Sequence, residues 1–183
     1  MQKSNIVVIG MPGSGKSTLG KLIAQNRGLS FVDTDSLIEA RENMGLQDIV
    51  NRRGVKCLRT IEADVIQKLD LENHVISTGG SAIYSDAAMR NLSHQGVILY
   101  LRISLPTLLK RITNGESRGL AKMKSHSLPR LYFEREHMYA AAADIFFDND
   151  WPLTALTKAS MLAYLDCYYR RVCAATDLTS RCL

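Results

Sequence analysis

No segment of the 183-residue chain approaches the roughly 20 consecutive apolar residues that a membrane-crossing helix needs. There is no internal repeat, low-complexity tract or interdomain linker. The four cysteines, Cys57, Cys167, Cys173 and Cys182, form no C-x-x-C pair and have no His–Cys ligand spacing. That argues against a zinc site, and free thiols are expected. Nor are the basic residues gathered into a patch. Lys plus Arg number 23 against 18 Asp plus Glu, a net charge of +5. They are scattered, apart from Arg52-Arg53, Arg170-Arg171 and a looser stretch from Arg118 to Arg130. Nucleic acid or a membrane surface would call for a cluster, so neither partner is expected.

What is present is ordinary globular usage, 46% apolar and 22% charged. This excludes disordered, collagen-like, coiled-coil and disulfide-scaffold classes. The length suits one domain over residues 1–183, with a core large enough to need no staple. Met1 to Asn5 run straight into Ile6-Val7-Val8-Ile9. That apolar run is too short for a secretory signal, so the cytoplasm is the expected compartment; a monomer is the expected state.

Ile6 to Ile9 ends at Gly10 and reads as a central parallel strand buried on both faces. Lys16 to Asn26 reads as a helix stopped by Gly28. Ser30–Val32, His74–Ser77, Val97–Leu101 and Asp144–Asp148 read as further strands. Helices are expected over about 55–71, 104–113 and 128–143, and from Pro152 to about Cys173 with a polar tail. Gly115 to Ser127 lacks an apolar period and reads as a mobile loop. Strands alternating with helices predict a three-layer α/β fold around a parallel sheet of about five strands.

Gly10-Met11-Pro12-Gly13-Ser14-Gly15-Lys16-Ser17 satisfies G-x-x-x-x-G-K-[ST]. It follows a predicted strand and opens a predicted helix, the context that a phosphate loop requires. Its glycines allow successive N–H groups to face phosphate oxygens. Lys16 would reach the β- and γ-phosphates of a nucleoside triphosphate, and the Ser17 hydroxyl would ligate Mg²⁺. The loop does not specify the acceptor.

Phe31-Val32-Asp33-Thr34-Asp35 places two carboxylates just past a strand end, where open α/β sheets bind ligands. One acid can hold Mg²⁺ through water, and the other can accept a hydrogen bond from an attacking hydroxyl. Capping of the next helix is the alternative for these acids. Beside a phosphate loop, the chemical role takes precedence.

Gly10 to Thr18 followed by Phe31 to Asp35 resembles the shikimate kinase family. Gly54, Arg59 and Glu62 fall on its G-E-x-x-F-R-x-x-E pattern, and Ser77-Thr78-Gly79-Gly80 resembles its S-T-G-G-G turn. Arg135, Tyr139, Ala143 and Asp144 fit R-x-P-x-Y-x-x-x-A-D. The matches run from Gly10 to about Pro152. The resemblance implies a P-loop kinase fold with a lid at about 115–127, and ATP with Mg²⁺ as phosphoryl donor. It implies transfer to the 3-hydroxyl of shikimate.

By the same resemblance, Gly13, Ser14, Gly15, Lys16, Ser17, Thr18, Arg111, Arg118 and Pro152 bind ATP, Arg111 packing on adenine and Arg118 belonging to the lid. Asp35, Arg59, Gly79, Gly80 and Arg135 bind the acid, and Ser17 and Asp33 hold the metal. Lys16, Asp35 and Arg118 carry catalysis. Arg59 and Glu62 lie three apart on a predicted helix and so are expected to pair, with Arg59 and Arg135 then binding a carboxylate. Five positions depart from the pattern: Val55, Leu58, Ser81, Gly119 and His137. None removes a charge assigned to phosphoryl transfer, but several bear on the acceptor. A kinase of another hydroxylated acid, such as a sugar acid, is therefore a second reading. A nucleotide-binding protein without catalysis is a third. His137 is expected to be a surface or structural histidine.

Overall fold

The computed structural model describes residues 4–113, 127–151 and 154–175. β1 (Asn5–Ile9) is buried at every position, as a strand covered on both faces must be. The chain continues through α1 (Lys16–Arg27), β2 (Ser30–Asp33), α2 (Thr34–Glu42), α3 (Leu46–Gln67) and β3 (His74–Ser77). A short 3₁₀ turn (Ala82–Tyr84) leads into α4 (Asp86–Gln95) and β4 (Gly96–Arg102). Then follow α5 (Leu105–Thr113), α6 (Ser127–Ala142), β5 (Ile145–Asp148) and α7 (Ala155–Ala175).

The five strands form one sheet in the order β2-β3-β1-β4-β5. All four pairings are parallel. The order reverses at β1, with β3 and β2 on one side and β4 and β5 on the other. Such a reversal opens a crevice at the carboxyl ends of the strands, because the connections leave for opposite faces. Register puts Val8 and Asp33 each beside Ser77. The phosphate loop, the acid pair and the Ser77–Gly80 turn therefore leave three adjacent strands at nearly the same height.

The main core includes Val7, Ile9, Ile76, Ile98, Tyr100 and Tyr139, all buried. A second cluster joins Ile38, Ile49 and Val65, with Leu58 packed against it. Burying one such side chain is worth about 1.5–3 kcal/mol, against about 1 kcal/mol net for a typical hydrogen bond. The sheet and its helices thus hold the crevice loops in place, and the bonds within the loops refine them.

Helix ends follow local rules. Gly28 ends α1 at φ 65°, and Asn43 ends α2 at φ 49°. The Ser104 hydroxyl accepts from Thr107 N at 3.4 Å at the start of α5. Two differences from the sequence reading stand out. α3 begins at Leu46 rather than near Val55, and Gly54 (φ 83°, ψ 164°) interrupts it. That interruption hid its first half from a search for one apolar stripe. α4 was not anticipated at all. Its buried residues are only Ala88 and Leu92, too thin a stripe to register as a period, although Ser85 caps it by accepting from Ala88 N at 3.3 Å.

By its internal contacts the chain divides into two compact units, Met1–Asp150 and Trp151–Leu183. The second contributes α7, whose first turn is capped by Thr154 Oγ1 accepting from Thr157 N at 3.2 Å. The expected lid lies outside the described residues except for Ser127, which opens α6. Among the described residues, no helix is long and apolar enough to cross a membrane.

Candidate active site

The loop after β1 closes with Ser14 N donating to Met11 O at 3.1 Å. Lys16 folds back over it, and its Nζ donates to the carbonyl oxygens of Gly10 at 2.9 Å and Met11 at 2.8 Å. Burial pulls the Lys16 ammonium down to about 8, while Asp35 and Asp33 act to raise it. The Ser14 hydroxyl is buried without a hydrogen-bond partner. A buried cation and an orphaned hydroxyl in a glycine-bearing loop fit a polyphosphate, which would supply the partner that the Ser14 hydroxyl lacks and a counter-charge for Lys16.

Two residues brace this loop from the far side of the sheet. The Asn149 side chain, buried just past β5, donates to Ser14 O at 2.7 Å. Arg111 of α5 donates to Ser14 O at 3.2 Å and to Asn149 O at 2.6 Å. Gly15 sits at φ 94°, and a β-carbon there would stand 2.9 Å from Asn149 Nδ2. Arg111 therefore lies beside the loop that would cradle ATP. Thr18, in the first turn of α1, is exposed.

The two acids at the end of β2 divide their work. Asp33 Oδ1 caps α2 by accepting from Asp35 N at 3.1 Å. Its Oδ2 accepts from the Ser17 hydroxyl at 2.6 Å, and Ser17 Oγ is 3.4 Å from Ser77 Oγ. Capping and the proposed metal role are thus both available to one residue, through different oxygens. The Ser17, Asp33 and Ser77 oxygens form a hard donor set of the kind Mg²⁺ accepts alongside nucleotide phosphates. Asp35 is raised to about 6 by burial first and by the Asp33 charge second, with Lys16 acting to lower it.

Glu62 of α3 is almost fully buried. Burial raises its carboxyl to about 7, while the Ser81 hydrogen bond acts to lower it. Ser81 Oγ donates to Glu62 Oε2. The other oxygen, Oε1, is buried with no partner. A β-carbon on Gly79 would stand 2.2 Å from Glu62 Oε1 and 2.6 Å from Asp35 Oδ1. Any larger residue here would have to displace the two carboxylates that face the Gly79 α-carbon. Gly79 N donates to Thr34 Oγ1 at 3.0 Å, and Gly80 O accepts from the Tyr139 hydroxyl at 2.6 Å.

Arg135 of α6 is buried. Its Nη1 would lie 3.1 Å from a β-carbon on Gly80, and its Nε donates to Tyr84 Oη at 3.1 Å. Arg59 does not pair with Glu62 as expected. Its guanidinium carbon lies 4.0 Å from the centre of the Tyr84 ring. Glu62 takes its donor instead from Ser81, which stands where a glycine was expected.

The structure thus brings Lys16, Ser17, Asp33, Asp35, Gly79, Gly80 and Arg135 together around one crevice, with Arg59 beside Arg135 at Tyr84. Gly13, Ser14, Gly15 and Arg111 line its phosphate-loop side. Arg118, Gly119 and Pro152 lie outside the described residues. His137 is exposed, with Nδ1 3.2 Å from Phe133 O, and Val55 is exposed as well. Sequence reasoning missed Asn149 and Tyr84. An Asn just past a strand end was a usable signal for the first, whereas nothing local marks the second.

On its five-stranded parallel sheet, this crevice has the architecture of a P-loop kinase acting on a small molecule. Comparison with known proteins narrows the class. The shikimate kinase family profile matches residues 12–165. The chain is 36% identical over 139 residues to a shikimate kinase of Sulfurihydrogenibium sp., covering 75% of this chain and 84% of that one. A shikimate kinase structure from Bacteroides thetaiotaomicron superposes with TM-score 0.81 at 25% identity, over 91% of this chain and 98% of its own. One from Acinetobacter baumannii in complex with shikimate shares the fold, with TM-score 0.81 at 24% identity over 92% and 94%. The chain belongs to the shikimate kinase family, and is an ATP-dependent kinase.

Proposed function

We propose that the protein transfers the γ-phosphoryl group of ATP to the 3-hydroxyl of shikimate, giving shikimate 3-phosphate and ADP. The observation that carries this reading is the spacing of opposite charges across Gly79 and Gly80. Asp35 faces the first glycine and the Arg135 guanidinium the second. A hydroxylated carboxylic acid lying over this turn would meet a base at one end and a cation at the other.

In the proposed reaction the hydroxyl oxygen forms a bond to the γ-phosphorus as the bond to the β–γ bridging oxygen breaks. Asp35 accepts the hydroxyl proton. With its carboxyl raised to about 6, it is largely ionised at neutral pH yet basic enough to assist. Lys16 turns from the loop carbonyls toward phosphate oxygens and offsets their charge. Arg118 takes the same role at the transferring group, as the family motif implies. Arg59 and Arg135 hold the acid, while Arg111 packs on the adenine and Pro152 takes part in ATP binding, as the family motif implies. Ser17 and Asp33 are the residues that would hold Mg²⁺, which supplies further charge neutralisation when bound with the nucleotide. We read residues 1–183 as one kinase domain, lid included, working as a cytoplasmic monomer on a free small molecule without nucleic acid or membrane.

The test is ADP release with ATP, Mg²⁺ and each of shikimate, quinate and gluconate, with the product identified by mass. Turnover on shikimate with a KM in the micromolar-to-millimolar range is expected. Turnover on another acid alone would replace shikimate as substrate. ATP binding with no turnover on any acid would remove the catalytic reading.

A further inference from the structure

We propose that Tyr84 is a positioning residue for the acid substrate: its ring and hydroxyl together hold Arg59 and Arg135 ready to receive the carboxylate. The proposal rests on reading the protein as a kinase of a hydroxylated acid.

Tyr84 closes the turn that begins at Gly79 and Gly80. Its N–H donates to Ser81 O at 3.1 Å, so its backbone is tied to the residue that directly follows the glycine pair. Both arginines converge on its side chain. The guanidinium carbons of Arg59 and Arg135 lie 4.0 and 5.1 Å from the ring centre, inside the roughly 6 Å reach of a cation–π contact. The hydroxyl adds direction. It accepts from Arg135 Nε at 3.1 Å and donates to Glu134 Oε1 at 2.7 Å. Glu134 thereby fixes the hydroxyl hydrogen and leaves a lone pair aimed at Arg135.

Among the described residues, no carboxylate pairs with Arg59 to orient it. Glu62, three residues on, is engaged by Ser81. Arg59 Nε is buried with no hydrogen-bond partner. The ring face is what remains to hold the guanidinium, and it does so without consuming N–H donors. Two like charges gathered at one ring repel each other. A bound carboxylate removes that repulsion and uses the donors, so the arrangement is organised for an anion before one arrives.

The experiment measures shikimate and ATP affinities by titration calorimetry for the wild-type protein, Tyr84→Leu and Tyr84→Phe. Shikimate methyl ester, whose carboxylate is masked, serves as the control ligand. Tyr84→Leu should weaken shikimate binding about tenfold or more and Tyr84→Phe about threefold, with ATP affinity held within about twofold. The ester should lose little between wild type and Tyr84→Leu. Unchanged shikimate affinity in Tyr84→Leu would overturn the proposal, as would equal losses for acid and ester, which would mean general packing damage. If circular dichroism shows Tyr84→Leu unfolded, Tyr84→Phe decides alone, and unchanged shikimate affinity there overturns it. Should the wild type bind quinate or gluconate but not shikimate, the substrate assignment falls, and the same comparison is made on that acid and its ester. Binding of none of the three acids sinks both readings.

Discussion

Glu62 accepts a hydrogen bond from the Ser81 hydroxyl on one oxygen and keeps the other buried with no partner. A carboxylate held in this way is a stability element as well as a site element. Its native carboxyl is raised from an ordinary 4.5 to about 7, chiefly by burial. The native state therefore keeps a proton that the unfolded chain releases. This contribution is fully present below pH 4.5 and is lost as pH rises through about 7.

Glu62→Gln should remove that loss. The variant is expected to unfold at a higher temperature than wild type at pH 8, by up to about 3 kcal/mol in stability. The gain should shrink below about 1 kcal/mol at pH 5. Thermal unfolding of the ligand-free proteins at both pH values checks this, and an equal difference at the two would remove burial of charge as its cause.

Asp35 gives a second pH signature, this time in the rate. Its carboxyl, raised to about 6 by burial and by Asp33, must be ionised to take the hydroxyl proton. The value of kcat/KM for the acid should fall about tenfold per unit below pH 6. Asp35→Asn should lower kcat about 10²- to 10⁴-fold and leave ATP affinity nearly unchanged. Steady-state kinetics between pH 5 and 8 measure both, and preserved turnover in the variant would show that the proton leaves by another route.

Arg135→Ala should act on binding rather than chemistry. Loss of a charge-assisted pair to the substrate is expected to raise KM for the acid about a hundredfold, with kcat within about threefold of wild type. A KM that stays at the wild-type value would place the carboxylate elsewhere.

Asn149→Ala tests the brace on the phosphate loop. Removing Nδ2 takes one of two donors from the buried Ser14 carbonyl, which keeps Arg111, a loss of about 0.5–1.5 kcal/mol. The effect should fall on ATP, as a severalfold higher KM, and leave KM for the acid unchanged. Equal changes in the two constants would mark Asn149 as a general support of the fold.

Much of the fold was legible because its signals are local. Ile6 to Ile9 reads as a strand buried on both faces, as β1 is, and Gly28 ends α1 in a left-handed conformation. All five strands were found, since short apolar runs between turn residues survive without tertiary knowledge. The helices read less well. Gly54 broke the apolar period of α3, and α4 buries too few large residues to show one. Among site residues, the phosphate loop and the acid pair could be read because each is contiguous. Arg59 was placed on the right helix but given the wrong neighbour. Its partner depended on Ser81 and Tyr84, which lie more than twenty positions away.

Contiguous motifs were thus legible in the order of residues: the phosphate loop, the Asp33–Asp35 pair, the glycine turn and the alternation that builds a parallel sheet. These depend on spacing within a few residues, where chain geometry leaves little choice. Folding alone decided which oxygen of Asp33 meets Ser17, that Asn149 reaches back to Ser14, and that Tyr84 rather than Glu62 holds Arg59. Each is a contact between separate elements. Its energy depends on burial and on which donors and acceptors lie within reach, and neither is defined until the sheet has brought the strand ends together.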